Sequence, residues 1–527
     1  MVRGKYRGYD YDAIVIGSGI GGLTAAACLA KQGIKVLICE QHNRPGGYFT
    51  SFKHKGYIFD GGIQACENLG ALIPMLQYLG ILDRINLKRS PVGMALPDTL
   101  IKINSISDID KFYEALGRKF PSQVEGLKRI SEDTQILANV LDAYVQLPNP
   151  VFDSYARSLA ALPGWLIKYR KSVKHSRMFG RLMKLPMEEY IAEHVNDQNL
   201  MRVLQHVFPR GTPASFGLGY TKLFIDYYYP DGGMQVIADA IAGSIKENGG
   251  QMMLKTLVEE VILKNDRADG VKVQGGEIIR APFVISNGDA KRLILKMVPP
   301  GSLPDSYRER MERTEVCESA FRLFLGVDIP PEDLPLKGCE HIFPFCPDYQ
   351  GVTYEEMRNA GDFFRRSPQV ISIPCMNHPG MAPEGKSGIM INVATIAEWG
   401  KNWGTRNGER TPEYQDLKEK VTEDTIAVTE KIIPGIAKKI EVKIPATPYT
   451  LERYTLNTGG TVMGWTYNPR ETFHNTGRNY LALGHFTPIK NLLQVGHWAF
   501  YPGGAPSGIF GGKIVADYIK TRLKLGL

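Results

Sequence analysis

The sequence predicts an α/β protein: a Rossmann-like dinucleotide-binding domain joined to a mixed-sheet domain and a helical region. Two stretches carry that expectation. Near one end, DAIVIGSGIGGLTAAACLAKQGIKVLICE (Asp12–Glu40) sets a glycine turn between two apolar strands. Near the other, QVGHWAFYPGGAPSGIFGG (Gln494–Gly512) follows an apolar strand with a proline- and glycine-rich turn into a helix.

Ala13 to Ile16 is a β-branched apolar run, as a strand buried on both faces requires. Gly17-Ser18-Gly19-Ile20-Gly21-Gly22 follows, then an alanine-rich helix over Leu23 to Lys31 that Gly33 ends. In this βαβ setting Gly17 permits the tight turn and Gly19 lets backbone approach a pyrophosphate. Gly22 brings helix and strand together. The free N–H groups of the helix start then hold the anion. Strand Lys35 to Cys39 ends on Glu40, 18 residues beyond Gly22, where a carboxylate can take both hydroxyls of a ribose. A signal peptide or membrane anchor is the competing reading of Ala13–Ala30. Its glycines and the adjoining Asp10 and Asp12 exclude it.

Arg44-Pro45-Gly46-Gly47 supplies a second glycine pair just past the ribose acid. There a cation and bare backbone can approach a second phosphate or the far end of a long cofactor. EQHNRPGGYFTSFKHKGYIFDGG (Glu40–Gly62) resembles the amino-terminal signature of the phytoene desaturase, carotenoid isomerase and retinol saturase group of FAD enzymes. The resemblance implies a two-glycine flavoprotein. It places Gln41, Tyr48, Gly62 and Ile63 on the cofactor, with the Gly56–Gln64 turn beside the flavin ring. Many relatives carry histidine where this chain has Gln64. Asp60, in that turn, reads as a carboxylate satisfied by local N–H groups.

The chain has 527 residues, too many for one ordinary core, and its 43% hydrophobic content is that of a globular protein. The resemblance divides it into a discontinuous FAD-binding domain (9–95, 231–300 and 480–527) and a substrate domain (300–480 with part of 96–110). The remainder, 110–230, is a helical region. Seven cysteines scattered from Cys28 to Cys375 without a CxxC suit a reduced compartment, hence a cytoplasmic setting. Cys339, His341 and Cys346 lack a fourth ligand, so no metal is expected. No apolar run of ~18 residues outside the fingerprint predicts a membrane span.

Leu72 to Leu82 reads as a core helix closed at Gly80, and Asp108 to Leu141 has helical spacing. Ser154 to Leu185 has no acid, but carries Arg157, Lys168, Arg170, Lys171, Lys174, Arg177, Arg181 and Lys184 among Leu159, Trp165, Ile167 and Phe179. That pattern reads as an amphipathic element lying on an anionic membrane surface, making the protein peripheral (monotopic). A solvated basic face is the alternative. No segment resembles a nucleic-acid module, and no nucleic-acid partner is expected.

FIDYYYPDGGMQ (Phe224–Gln235) again resembles the family, with Tyr227, Tyr228 and Tyr229 divided between core packing and a substrate tunnel. Met252 to Ile285 reads as a strand meander with turns at Asp269-Gly270 and Gly275-Gly276. The resemblance sets the Val258 backbone against the adenine. Phe321–Val327 and Ile389–Thr395 read as strands of a sheet flooring the substrate cavity, and Pro412–Ile433 as a long helix. The catalytic candidates are Glu452, Arg453 and Tyr454, before a glycine-rich loop, with His497 and Trp498 beside Gly496. The helix from Pro506, with Ser507 and Gly508 in its first turn, directs its positive end at the flavin, where the dipole stabilises negative charge.

No second GxGxxG exists in the chain, so electrons come from substrate, a quinone, oxygen or a separate donor. The resemblance implies an FAD-dependent oxidoreductase acting on C=C or CH–CH bonds of a polyene or polyprenyl substrate. A cis–trans isomerase using reduced FAD is the close alternative. An amine oxidase and a non-catalytic prenyl-lipid carrier on the same fold are the others.

Overall fold

The computed structural model describes residues 8–525 apart from 150, 154, 206–207, 407 and 474–483. Ser154, the first residue of the basic stretch, and the domain boundary at 480 lie outside these residues.

Five parallel strands form the sheet that positions the fingerprint. Their order is Gln251–Met253, Val36–Cys39, Ala13–Ile16, Val284–Ser286, Leu492–Gln494. The register sets Ile14 between Leu37 and Val284. All four residues of Ala13–Ile16 are buried, Ala13 and Val15 in one core with the fingerprint helix, Ile14 and Ile16 in another with Val261 and Val271. The fingerprint helix starts at Ile20, three residues before the alanine-rich run, and continues to Lys31. It packs against the helix Ala505–Leu525, and the contact is side-chain-free at its tightest. A Cβ on Gly512 would stand 2.6 Å from the Gly21 carbonyl oxygen and 2.9 Å from the Ala25 nitrogen.

The meander differs from expectation in two ways. Gln251–Met253 leaves it to edge the parallel sheet, and the remaining strands, Val258–Lys264, Arg267–Val273 and Ile278–Arg280, form an antiparallel sheet. Asp269-Gly270 lies inside the second strand. The turn falls instead at Asn265-Asp266, with φ of 51° and 57°, the left-handed pair a tight hairpin uses.

The second sheet has seven strands in the order Ile440–Ala446, Ser319–Val327, Ser387–Thr395, Val370–Ser372, His341–Phe343, Val92–Leu96, Thr99–Ile103. Val92–Leu96 straddles the expected boundary at 95. The helical region opens with Asp108–Lys119 and Val124–Gln146, divided at Pro121, where one continuous helix could not pass. Tyr155–Lys168 and Arg170–Leu182 follow. Pro412–Thr429 stops four residues short of the expected end.

Candidate active site

The glycine turn builds its cradle from backbone alone. Gly17, at φ 88°, needs the left-handed conformation. A Cβ on Gly22 would lie 2.3 Å from the Gly17 carbonyl oxygen, so helix and strand meet only because it is absent. Gly22 N–H donates to Asn287 Oδ1 at 3.0 Å, which ties the helix start to the neighbouring strand's exit. The second glycine pair folds straight back onto the first. Gly46 N–H donates to the Ser18 carbonyl at 3.0 Å, and a Cβ on Gly47 would meet Gly19 Cα at 3.1 Å.

Glu40 is buried and fixed at both oxygens. Oε2 accepts from Ser18 N–H at 2.8 Å and Ser18 Oγ–H at 2.6 Å, while Oε1 accepts from His42 N–H at 2.9 Å. Each carboxylate oxygen has more than one acceptor direction, and Glu40 lines the cavity. This is a backbone nest with an anchored acid beside it, and it fits a dinucleotide.

A single cavity of about 1050 Å³ gathers most of the expected positions: Gly17, Ser18, Gly19, Ile20, Gly21, Glu40, Gln41, Gly47, Tyr48, Gly62, Ile63, Val258, Gly496, His497, Pro506, Ser507 and Tyr454. Others stand behind its wall. Gly22 and Gly46 hold backbone together, and Gly508 lets the closing helix approach Ile20, its added Cβ lying 3.3 Å from that side chain.

Four expected residues are not brought to the cavity. Arg44 turns to the surface and donates to the Ser51 carbonyl at 2.9 Å. Arg453 points to solvent from the helix Pro448–Thr455, and Glu452 accepts from Gly459 N–H at 3.4 Å. Trp498 is buried in the core, where its indole N–H donates to Asn457 Oδ1 at 3.0 Å. Tyr454 lines the cavity stacked on His42, which follows Glu40. Of the catalytic candidates His497 and Tyr454 line the cavity, and His497 is the less exposed, half-buried in the wall. Burial lowers its imidazole to about 4, and Nε2 has no hydrogen-bond partner among the described residues.

Beyond Tyr48 the cavity widens into an aromatic and apolar chamber. Phe179 and Met183 come from and just after the basic helix Arg170–Leu182; Phe208, Phe216 and Leu223 come from the segments after it. The floor is the seven-stranded sheet, through Ala320, Arg322, Phe343, Val370 and Asn392. Tyr227 faces this chamber. Tyr229 instead donates its hydroxyl to Asp60, which also accepts from Ser51 Oγ–H at 2.6 Å and Met234 N–H at 2.9 Å. Asp60 is therefore a structural acid at the end of Tyr57–Asp60.

Three polar features of this chamber escaped the sequence reading. Arg322 is a buried cation whose Nη1 donates to the Gly61 carbonyl at 2.6 Å and the Gly62 carbonyl at 2.5 Å. Burial lowers its guanidinium. Asn392 Nδ2 donates to Gln64 Oε1 at 2.6 Å, leaving Gln64 Nε2 and Asn392 Oδ1 unpartnered among the described residues. Glu67 meets Tyr220 and Tyr227. An arginine inside the apolar run SAFRLFLGV was the available signal for Arg322, since a charge in a buried strand demands a reason.

Residues 15–79 match the family of NAD(P)-binding Rossmann-like domains. Among curated proteins, the chloroplastic prolycopene isomerase of Daucus carota is 26% identical over 99% of this chain and 82% of its own length. The all-trans-retinol 13,14-reductase of Danio rerio is 26% identical over 92% of this chain and 82% of its own. The chain is a relative of both enzymes. Among solved structures, a putrescine oxidase superposes with a TM-score of 0.61 at 14% identity, covering 97% of this chain and 99% of that one. An oxidoreductase from Methanosarcina mazei gives 0.59 at 18% identity, covering 96% and 99%. These likenesses show the fold, a Rossmann-like nucleotide-binding domain carrying a mixed-sheet domain. The resemblance read from the motifs thus extends over nearly the whole chain.

Proposed function

We propose that the protein is an FAD-dependent oxidoreductase acting on C=C or CH–CH bonds of a long hydrophobic isoprenoid, carotenoid- or retinoid-like. One observation carries the reading: the dinucleotide cradle and the apolar chamber are one continuous cavity. The relatives' names supply the substrate class, a polyene. Bound in the cradle, a flavin supplies hydride-transfer chemistry at its N5.

The chain's own residues hold and orient. The Gly17–Gly22 turn and the Gly46-Gly47 pair form the pyrophosphate nest, with Glu40 beside the ribose and Val258 beside the adenine. The N-terminus of Ala505–Leu525, with Pro506 and Ser507 on the cavity wall, presents a positive dipole end to negative charge. The aromatic chamber excludes water and aligns a flat polyene. In this reading 9–95, 231–300 and 480–527 make the FAD-binding domain. The domain at 300–480 carries the substrate, and 110–230 meets the membrane.

Among the described residues no helix is long and apolar enough to cross a membrane. Leu159, Leu166, Ile167 and Val173 nevertheless stand exposed, at 66%, 43%, 70% and 37%, on the two basic helices. Together with their lysines and arginines they favour a peripheral site on an anionic membrane, and the second helix also walls the chamber. An insoluble substrate would then pass from bilayer to cavity without crossing water. Electrons are exchanged with a quinone, oxygen or a separate donor.

Isomerisation with reduced FAD is the second reading, favoured by the match to prolycopene isomerase over 99% of the chain. Anaerobic incubation of the reduced protein with polyenes separates the two. A product gaining two hydrogens while the flavin is reoxidised supports the oxidoreductase; unchanged mass with reduced flavin retained supports the isomerase. Inertness to every polyene, with primary amines reducing the oxidised protein, overturns both.

A further inference from the structure

Among the described residues of the chamber, a carboxyl–phenol cluster has no part in the cradle's backbone nest. Glu67 ends the short strand Cys66–Glu67 and lies directly across the ladder from Tyr227, the first residue of Tyr227–Pro230. Tyr220, just past the helix Ala214–Gly219, completes the group. Glu67 Oε1 lies 2.7 Å from the Tyr220 hydroxyl and 3.1 Å from the Tyr227 hydroxyl, and the two phenol oxygens also meet, so these contacts share the two phenol hydrogens. All three residues line the cavity. Rings fix them in place: Phe208 and Phe216 lie 5.2 and 5.5 Å from the Tyr220 ring centroid, and His341 lies 5.5 Å from that of Tyr227.

The arrangement is one-sided. Both phenols crowd onto Oε1, while Oε2 accepts from no other described residue. Burial raises the Glu67 carboxyl, the two phenols partly offset this, and the neighbouring Asp226 adds to it. Besides the phenols the carboxyl meets its own backbone N–H; a carboxyl oxygen with no side-chain donor in an aromatic chamber is costly, and a ligand able to donate to it lowers that cost. A hydrocarbon polyene has no such group. A ketone or aldehyde only accepts, and a carboxylate is repelled. A hydroxyl donates to Oε2 and needs no charge to do so.

We infer that Glu67, Tyr220 and Tyr227 form a subsite for the terminal hydroxyl of a long-chain isoprenoid alcohol. The inference rests on the isoprenoid reading above and narrows it to alcohols. The cluster fixes one end of the ligand, and the chain then runs from the chamber toward the cradle. Register, and hence which double bond is presented, follows from the distance to the anchored end.

Equilibrium binding to the flavin-loaded protein tests this with geranylgeraniol, the hydrocarbon of the same skeleton lacking the oxygen, and geranylgeranylamine. The intact protein is expected to prefer the alcohol over the hydrocarbon by about tenfold, the worth of one hydrogen bond to a buried charged or strongly polar group. Glu67→Leu is expected to abolish that preference while leaving hydrocarbon affinity unchanged or higher. Tyr220→Phe with Tyr227→Phe, which removes only two oxygens, is expected to shrink it and serves if the first variant does not fold. Equal affinity of the intact protein for alcohol and hydrocarbon overturns the subsite and leaves the isoprenoid reading standing. So does a preference that survives in the variants. Tightest binding of the amine overturns the subsite in favour of a cation site. Failure of all three ligands to bind overturns the isoprenoid reading itself.

Discussion

Tyr454 stacks on His42 with ring centroids 4.1 Å apart and planes 17° from parallel, and its carbonyl accepts from His42 Nε2 at 2.6 Å. The pair clamps the helix Pro448–Thr455 onto the loop after Glu40, and both rings line the cavity. Tyr454→Ala is expected to weaken flavin binding by up to about tenfold, the worth of an aromatic pair of 0.5–1.5 kcal/mol. Titration of apoprotein with FAD measures it. An unchanged dissociation constant would assign the stack to stability alone.

The two fingerprint glycines differ in what a side chain would strike. An added Cβ on Gly22 meets backbone at 2.3 Å, whereas one on Gly19 meets the Asn287 side-chain nitrogen at 2.5 Å, which can move. Gly22→Ala is therefore expected to cost folding stability, about 1–3 kcal/mol of overpacking, read as a lower denaturation midpoint. Gly19→Val should fold and emerge colourless, because its bulk occupies the pyrophosphate's approach. Yellow Gly19→Val protein with full flavin content would refute the nest assignment.

Arg322→Lys tests the buried cation. Both bonds leave one nitrogen, Nη1, and the shorter lysine stem does not carry its ammonium to the point between the Gly61 and Gly62 carbonyls. Losing one charge-assisted bond is expected to lower unfolding free energy by about 1.5–3 kcal/mol in urea titrations. Retained stability would show that the glycine turn holds its shape without help.

His497 makes a pH prediction. Its folded imidazole titrates at about 4 against an ordinary 6.5, so the unfolded chain binds the proton first as pH falls. Stability from its neutral form is complete above about 6.5 and is lost as pH drops toward 4, by at most about 3 kcal/mol. His497→Gln should flatten that part of the stability–pH curve. His341, lowered by burial to about 3, loses stability from the same upper limit of about 6.5 down to about 3, so the variant's curve keeps a shallower slope there.

Membrane contact is tested on the exposed cations alone. Trp165 donates its indole N–H to the Ala143 carbonyl at 2.6 Å and so belongs to the fold. Changing Lys168, Arg170, Lys171 and Lys174 to Gln should release the protein from anionic vesicles, at about 1 kcal/mol per charge. Undiminished co-sedimentation would return this face to plain solvation.

Legibility followed steric uniqueness. The cradle was readable because its glycines answer either a left-handed backbone, as at Gly17, or a contact that one extra carbon would block, as at Gly22 and Gly512. Strands such as Ser319–Val327 were readable from apolar runs. Glu452, Arg453 and Trp498 were misplaced because proximity in sequence to a glycine loop says nothing of direction. A helix turns Arg453 to solvent, and the residue after His497 points into the core. Asp269-Gly270 carried a turn signal, but Asn265-Asp266 took the left-handed positions and left Gly270 inside a strand. Arg322, Glu67 and Tyr220 draw their meaning from partners supplied by distant segments, which one-dimensional spacing does not contain.

The order of the parallel sheet also bears on biosynthesis. The fingerprint strand takes its second neighbour from Val284–Ser286, whose own outer edge is covered only by Leu492–Gln494. On the ribosome, the first βαβ unit therefore emerges with both strand edges bare: Val36–Cys39 waits for Gln251–Met253, and Ala13–Ile16 waits for Val284–Ser286, when more than half of the described chain has been translated. The helix that seals Gly21 comes later still. Such an intermediate invites intermolecular strand pairing and chaperone capture. Overexpression should accordingly yield much insoluble material, and slower translation or added chaperones should raise the soluble share.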